Sequence, residues 1–115
     1  MIEVTSRAKS QPAPDWVLFE ALTEPDRDAA RRWLLLGPGE RHPEILESRE
    51  PDLVVWSSLW DDRPDARIRF DVTHARGLRW TLLVDEPAPD EATVREMRHR
   101  INTLINGNLR GTFGG

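Results

Sequence analysis

The sequence predicts an α+β domain in which an antiparallel sheet wraps against a long C-terminal helix. Two observations lead to this prediction. Four segments between residues 43 and 86 have strand character and are separated by turn residues, and residues 91–109 carry one broad apolar stripe at helical spacing. Because strands and helices occupy separate stretches of the chain, a segregated α+β arrangement is favoured over an alternating α/β one.

A strand and two short helices come first. Residues 2–9 alternate between two faces, as a half-buried strand does, and the prolines that follow end it. Residues 16–22 have helical character, and a second short helix with Trp33 on its apolar face ends at the glycines of residues 37–39. One face of the strand is expected to carry Ile2, Val4, Ser6 and Ala8.

Four further strands are expected in the middle of the chain. A short one spans residues 45–50, and residues 53–60 form a stronger one that is rich in β-branched and aromatic side chains. Residues 66–74 and 78–85 alternate between apolar and polar side chains and are joined by a tight connection at residues 75–77. Because residues 53–60 are apolar on both faces, their pattern leaves open which face points inward.

The last predicted element is a helix over residues 91–109. Asp90 is suited to cap it, because its carboxylate can accept a hydrogen bond from a free N–H group of the first turn. The glycines beyond this helix indicate a loose tail over residues 110–115. The chain length suits one domain with one core over residues 1–115. The apolar stripe of the helix consists of Val94, Met97, Ile101, Leu104, Ile105 and Leu109.

Composition argues against several classes of function. The 115 residues include 16 basic and 20 acidic side chains, and the net charge of -4 opposes general binding to nucleic acid or to anionic membranes. The absence of cysteine excludes disulfides, thiolate catalysis and cysteine metal sites. No stretch of sequence is long and apolar enough to span a bilayer, and the N-terminus lacks the pattern of a signal peptide, so a cytoplasmic location is expected.

The sequence also lacks the familiar motifs for metals and cofactors. The three histidines do not have the spacing of a zinc site, and His42 with Glu44 is a weak pair. The glycines of residues 37–39 are not followed by the lysine of a phosphate-binding loop. Ser57 and Ser58 lie in a predicted strand instead of a nucleophile elbow. We therefore expect no metal and no cofactor, and we assign no catalytic residue.

Several short motifs together resemble one known superfamily. Residues 4–6 are Val-Thr-Ser and lead to Pro-Ala-Pro at residues 12–14. Residues 17–25 have the pattern apolar-x-aromatic-x-Ala-Leu-Thr-x-Pro and are followed by Trp33, and Pro51 precedes an apolar strand. This order is similar to that of the SRPBCC superfamily, also called START-like or Bet v 1-like. The branch that it resembles most is the activator-of-Hsp90-ATPase-like branch.

The resemblance implies a helix-grip fold, in which a curved antiparallel sheet grips the C-terminal helix and a cavity lies between them. It does not imply one function, since members include lipid carriers, cyclases, stress proteins and co-chaperone-like domains. This chain departs from the family pattern because it lacks strand material between Trp33 and Ile45. The departure implies a smaller or more open cavity, which argues against a bulky ligand.

Side chains of the sheet and the helix are the candidate lining of that cavity. Phe70 and Trp80 share a face with the apolar residues of their strands, and Met97 belongs to the helix stripe. Arg98, at the edge of the stripe, could hold an anionic or carbonyl head group, and His74 is a second polar candidate at the mouth. The alternative is a core that closes on itself, with Arg98 reaching into solvent. The full candidate set is Trp56, Phe70, His74, Trp80, Met97, Arg98, Ile101 and Leu104.

The function expected from the sequence is binding of an apolar or amphipathic small molecule in this cavity. An enzyme of the cyclase or dehydratase kind is the first alternative, for which His74 is the best-placed acid or base. A co-chaperone-like interaction domain, binding a protein partner or forming a homodimer, is the second alternative. That function requires an exposed apolar patch, for which Leu83 and the odd-numbered face of residues 53–59 are candidates.

Overall fold

A five-stranded antiparallel sheet forms one layer of the structure, which is a computed structural model describing residues 1–73 and 77–113. The order of the strands across the sheet is first, fifth, fourth, third and second, so the first and second strands in the chain form its two edges. The strands are β1 (Ile2–Ser10), β2 (Ile45–Arg49), β3 (Leu53–Trp56), β4 (Arg67–Thr73) and β5 (Gly77–Val84).

Two helical segments lie between β1 and β2. Helix α1 (Asp15–Thr23) is followed by a single 3-10 turn (Ala29–Arg31), which stands where the second short helix is predicted. The turn stays short because its three residues are all exposed and offer no apolar face to bury. Trp33 enters the core from the extended chain just beyond it and is 1% exposed.

One continuous helical segment ends the described chain. It consists of α2 (Glu91–Asn102), a π-helical segment (Thr103–Leu109) and α3 (Arg110–Phe113). The predicted cap is confirmed, because the Asp90 side chain accepts a hydrogen bond from the backbone N–H of Thr93 at 2.8 Å. This hydrogen bond lowers the pKa of Asp90, since it stabilises the carboxylate form.

Residues 110–113, predicted as part of a loose tail, instead form the last helical turn. Phe113 packs against the core, and the Arg110 Nε donates to the carbonyl oxygen of Ser10 at 3.2 Å. These two contacts hold the turn in place where the glycine content alone indicates a loose chain. Gly114 and Gly115 lie outside the described residues.

A bulge in β1 changes which of its side chains share a face. Thr5, rather than Val4, pairs with Leu82 of β5. One extra residue in a strand moves every later side chain to the opposite face. Ser6 and Ala8 therefore lie on the outer face of the sheet, and the prediction that they share a face with the start of the strand is wrong.

The face of β3 that the sequence left open is decided by the pairing with β4. Val54 and Trp56 pair with Phe70 and Ile68, and all four belong to the core between the sheet and the C-terminal helix. This side of the sheet is almost completely excluded from solvent. The sheet thus grips the helix as the helix-grip fold requires.

The outer face of the sheet does not carry the apolar patch that we considered for a protein interface. Leu53 and Val55 lie on that face but are only 4% and 8% exposed, and Leu83 is half-buried. Charged side chains surround them, among them Arg69, which donates hydrogen bonds to Asp71 at 3.1–3.2 Å. These bonds raise the pKa of Arg69.

Within the described ranges, no helix has both the length and the apolar character needed to cross a membrane.

Candidate functional site

The structure brings five of the predicted lining residues together between the sheet and the C-terminal helix. None of the five is more than 1% exposed, and all belong to one apolar cluster. They therefore meet between the sheet and the helix as packed side chains. The five residues are Trp56, Phe70, Trp80, Ile101 and Leu104.

Aromatic rings occupy the middle of this cluster. Trp56 and Phe70 meet edge to face with ring centroids 4.7 Å apart, and Trp33 stacks on Trp56 at 5.9 Å. The Trp56 indole N–H donates to the carbonyl oxygen of Leu22 at 2.8 Å, so Trp56 also ties α1 to the sheet. Trp33, which we did not predict as a lining residue, completes the stack.

A chain of hydrogen-bonded, partly buried amides runs beside the aromatic rings. The Trp80 indole N–H donates to Asn102 Oδ1 at 3.0 Å, and Asn106 Nδ2 donates to the same oxygen at 3.1 Å. Gln11 Nε2 donates in turn to Asn106 Oδ1 at 3.0 Å, which links the end of β1 to the helix. Sequence reasoning missed this chain, although two asparagines four residues apart beside the apolar stripe were a visible signal.

The two remaining candidates that the structure describes do not line the same cleft. Met97, which is 5% exposed, lies at the edge of the core, whereas Arg98 is exposed on the side of the helix that faces β1. His74 lies outside the described residues. The first turns of α2 separate two clefts, and Met97 and Arg98 line different ones.

We call the first of these clefts the β1 groove. It has a volume of about 360 Å³ and lies between β1 and α2. Arg95 and Arg98 are three residues apart and therefore lie on one side of the helix. Both are exposed, and neither forms an ion pair or hydrogen bond within the described part of the chain. The groove is lined by Val4, Thr5, Pro89, Glu91, Val94, Arg95 and Arg98.

We call the second cleft the loop cleft. It has a volume of about 420 Å³ and lies between α2 and three loops, at residues 38–40, at residues 60–63 and just before α2. Apolar side chains from the loops and from α2 meet polar and charged ones there. Its lining includes Pro38, Glu40, Trp60, Asp62, Arg63 and Pro89 from the loops, and Thr93, Glu96, Met97 and Arg100 from α2.

An ion pair forms part of the wall of the loop cleft. Arg100 donates to both carboxylate oxygens of Glu40 at 2.7 and 2.8 Å, and also to the carbonyl oxygen of Leu35 at 2.5 Å. The Glu40 side chain is 8% exposed, and it accepts a further bond from the N–H of Gly37 at 2.7 Å. Burial raises the pKa of Glu40, but the hydrogen bonds from Arg100 and Gly37 outweigh burial and bring it below its ordinary value. Glu40 is therefore held ionised, whereas a general acid needs a raised pKa.

A buried serine organises the loop on the other side of this cleft. Ser58 is 0% exposed, and its hydroxyl donates to the carbonyl oxygen of Arg63 at 2.7 Å and accepts the N–H of Trp60 at 3.0 Å. Arg63 donates to the carbonyl oxygens of Asp85 and Pro87 at 2.9 and 3.0 Å. The composition of this segment indicates a solvated loop, but these bonds hold it against the end of β5.

The described residues include no group of three or more side chains suited to bind a metal ion. His42 contacts Asp26 on the loop after α1 through its Nε2, and not the Glu44 carboxylate that the sequence places near it.

No protein-family model and no curated protein sequence matches this chain. Its fold is nevertheless found among solved structures. The solution structure of the Aha1 dimer from Colwellia psychrerythraea is similar over 93% of this chain and 98% of that one, with a TM-score of 0.58 and 15% sequence identity. CalU16 from Micromonospora echinospora is similar over 89% of this chain and 84% of that one, with a TM-score of 0.44 and 16% identity.

At 15% identity the likeness concerns the fold. The helix-grip fold, which the resemblance of the sequence motifs implies, is confirmed by this likeness. Five antiparallel strands gripping a C-terminal helix make this chain a helix-grip domain with the fold of the Aha1 protein.

Proposed function

We propose that this helix-grip domain binds a small amphipathic molecule with an anionic head group, and that it does so in the β1 groove. The observation that carries the proposal is the pair of unpartnered guanidinium groups, Arg95 and Arg98, beside an apolar floor at the boundary of sheet and helix. Val4 and Val94 belong to that floor.

The chemistry of the groove supports an anion with an apolar tail. A guanidinium group binds a carboxylate through two parallel hydrogen bonds, and two such groups on one side of a helix can share one head group. Burial of the apolar tail against the valines is favourable because it removes apolar surface from water. The packed rings of Trp56, Phe70 and Trp80 support a ligand that lies at the rim instead of between sheet and helix.

The test is a titration with decanoate, with decanol as its uncharged counterpart. We expect decanoate to bind more tightly, and Arg95→Gln and Arg98→Gln each to weaken its binding about three- to tenfold, as loss of one charge-assisted hydrogen bond implies. Arg67→Gln is the matched control, because Arg67 is exposed on the outer face of the sheet. Equal affinities for decanoate and decanol, or a double variant that binds decanoate as the parent does, would contradict the proposal.

A protein-interaction function is the second candidate, and one observation favours it. Trp16 is 60% exposed beside a cleft of about 210 Å³ whose lining includes Val17, Pro25 and Phe113. Exposed aromatic side chains next to apolar clefts are typical of protein interfaces. The Aha1 protein of the same fold is described as a dimer, so the partner that we infer is a second copy of this chain.

A further inference from the structure

We propose that the loop cleft is a second binding site, and that it takes an organic cation: an ammonium group carried on an apolar body. This site lies on the opposite side of the first turns of α2 from the β1 groove and does not depend on it.

The walls of the cleft suit the apolar body of such a ligand. Trp60 and Met97 face the cleft from its two sides, with Pro38 and Pro89 beside them. Its volume of about 420 Å³ falls within the range of small-molecule pockets, about 300–1,000 Å³. An indole ring also attracts a cation through the negative potential of its face, most strongly among the aromatic side chains.

Both arginines of the cleft are already neutralised. Arg100 is bound to both oxygens of Glu40, and Arg63 Nε lies 3.1 Å from Asp65 while its NH2 bonds two backbone carbonyls. These guanidinium groups therefore have little free charge for an anionic ligand.

Two carboxylates in the cleft are left without a partner. Asp62 and Glu96 are exposed, and neither forms an ion pair or hydrogen bond with the rest of the chain that the structure describes. After the pairs of Glu40 and Asp65 are counted, the surplus charge of the cleft is negative. A cleft lined by charges of one sign raises the local concentration of ligands of the opposite sign.

The cleft is held in this shape before any ligand binds. The Ser58 hydroxyl bridges Trp60 and Arg63, and the Glu40–Arg100 pair fastens the opposite loop to α2. A site that is already ordered loses less conformational entropy on binding than a flexible one. The cleft therefore does not have to be assembled by its ligand.

The test uses 2-phenylethylammonium as the probe, with 2-phenylethanol and phenylacetate as neutral and anionic counterparts. Each is titrated into the full chain while the indole N–H resonance of Trp60 is followed by NMR. We expect the ammonium probe to bind most tightly and to weaken with added salt. Asp62→Asn and Glu96→Gln should each weaken it about two- to fivefold, the range for one exposed charge interaction. Asp61→Asn is the matched control, because Asp61 is exposed in the same loop but does not line the cleft.

Three results would overturn the proposal: no response of the Trp60 resonance to the ammonium probe, tighter binding of phenylacetate, or equal weakening by Asp61→Asn and by the cleft variants. Arg95→Gln with Arg98→Gln separates the two sites. We expect this double variant to bind 2-phenylethylammonium as the parent does, whatever its affinity for decanoate. Clearly tighter binding of the cation by the double variant would place the probe in the β1 groove, because the variant removes two positive charges there.

Discussion

Replacing Trp56 by phenylalanine tests whether the space between sheet and helix is a packed core. Trp56 is 1% exposed, contacts the rings of Trp33 and Phe70, and donates its indole N–H to the carbonyl oxygen of Leu22. Phenylalanine keeps an aromatic ring at this position but removes the donor and part of the buried area. The change therefore isolates the contribution of close packing and of one buried hydrogen bond.

The expected loss in the free energy of unfolding has two parts. The smaller ring removes apolar area equivalent to one or two methylene groups, which contributes about 1 kcal/mol. The Leu22 carbonyl oxygen is left buried without this donor, which costs about 1–3 kcal/mol. The sum is about 2–4 kcal/mol, a large fraction of the total stability of a small domain.

Urea denaturation of the parent and the variant measures this loss, provided that both unfold with the same dependence on urea. Trp16→Phe, measured at a protein concentration at which the chain is monomeric, is the matched control, because it makes the same chemical change at a side chain that is 60% exposed. We expect the control to change the free energy of unfolding by less than about 0.5 kcal/mol.

A loss at Trp56 no greater than that at Trp16 would refute this reasoning. The space around Trp56 would then tolerate a missing group, as an open ligand pocket does and a packed core does not. In that case a cavity between the sheet and the C-terminal helix would be a better candidate for the ligand site than the β1 groove.

Two further predictions concern Glu40 and Trp16. Glu40→Gln should lower the free energy of unfolding by about 1–3 kcal/mol at pH 7, because it removes a charged partner of Arg100. The folded-state pKa of Glu40 lies below its ordinary value of 4.5, so the stabilisation by Glu40 is complete above that pH and is lost as the pH falls through the folded-state pKa. In urea denaturation, the free energies of unfolding of the parent and the variant should therefore converge in acid. A difference between them that stays constant with pH would contradict this prediction. If Trp16 forms the contact with a second copy, sedimentation equilibrium should show a dimer for the parent and a monomer for Trp16→Ser, and a parent that stays monomeric would count against the second candidate function.

The sequence alone was sufficient for the elements whose signal is local. Residues 67–73 alternate strictly and residues 78–84 alternate except at Leu83, so their strands and inward faces follow from a period of two. The C-terminal helix follows from a stripe at helical spacing and from Asp90, whose side chain can reach the first turn without help from the rest of the fold. The short motifs, taken in their order along the chain, also indicated the helix-grip fold, because each of them lies where one element joins the next.

Only the tertiary structure decided features that depend on distant partners. The bulge in β1 is set by pairing with β5, and no pattern within β1 reveals the one-residue shift that sends Ser6 and Ala8 to the outer face. The inward face of residues 53–56 depends on pairing with β4, because apolar residues occupy both faces. The segment predicted as a loose tail forms a helical turn over residues 110–113, because Phe113 packs against the core and Arg110 donates a hydrogen bond to Ser10, which is 100 residues away in the chain.

The candidate sites divide in the same way. The sequence indicated which aromatic and helical side chains meet, since each shares a face with its apolar neighbours, but it could not determine whether their volumes leave a gap between sheet and helix. The sequence also could not show that Arg100 pairs with Glu40 while Arg98 is left without a partner. Both arginines have similar neighbours along the helix, and they differ only in which distant residues the fold places beside them. Periodicity determines the direction of a side chain along its own element, whereas packing volume and ion pairing depend on residues far apart in the chain, which only the fold brings within reach.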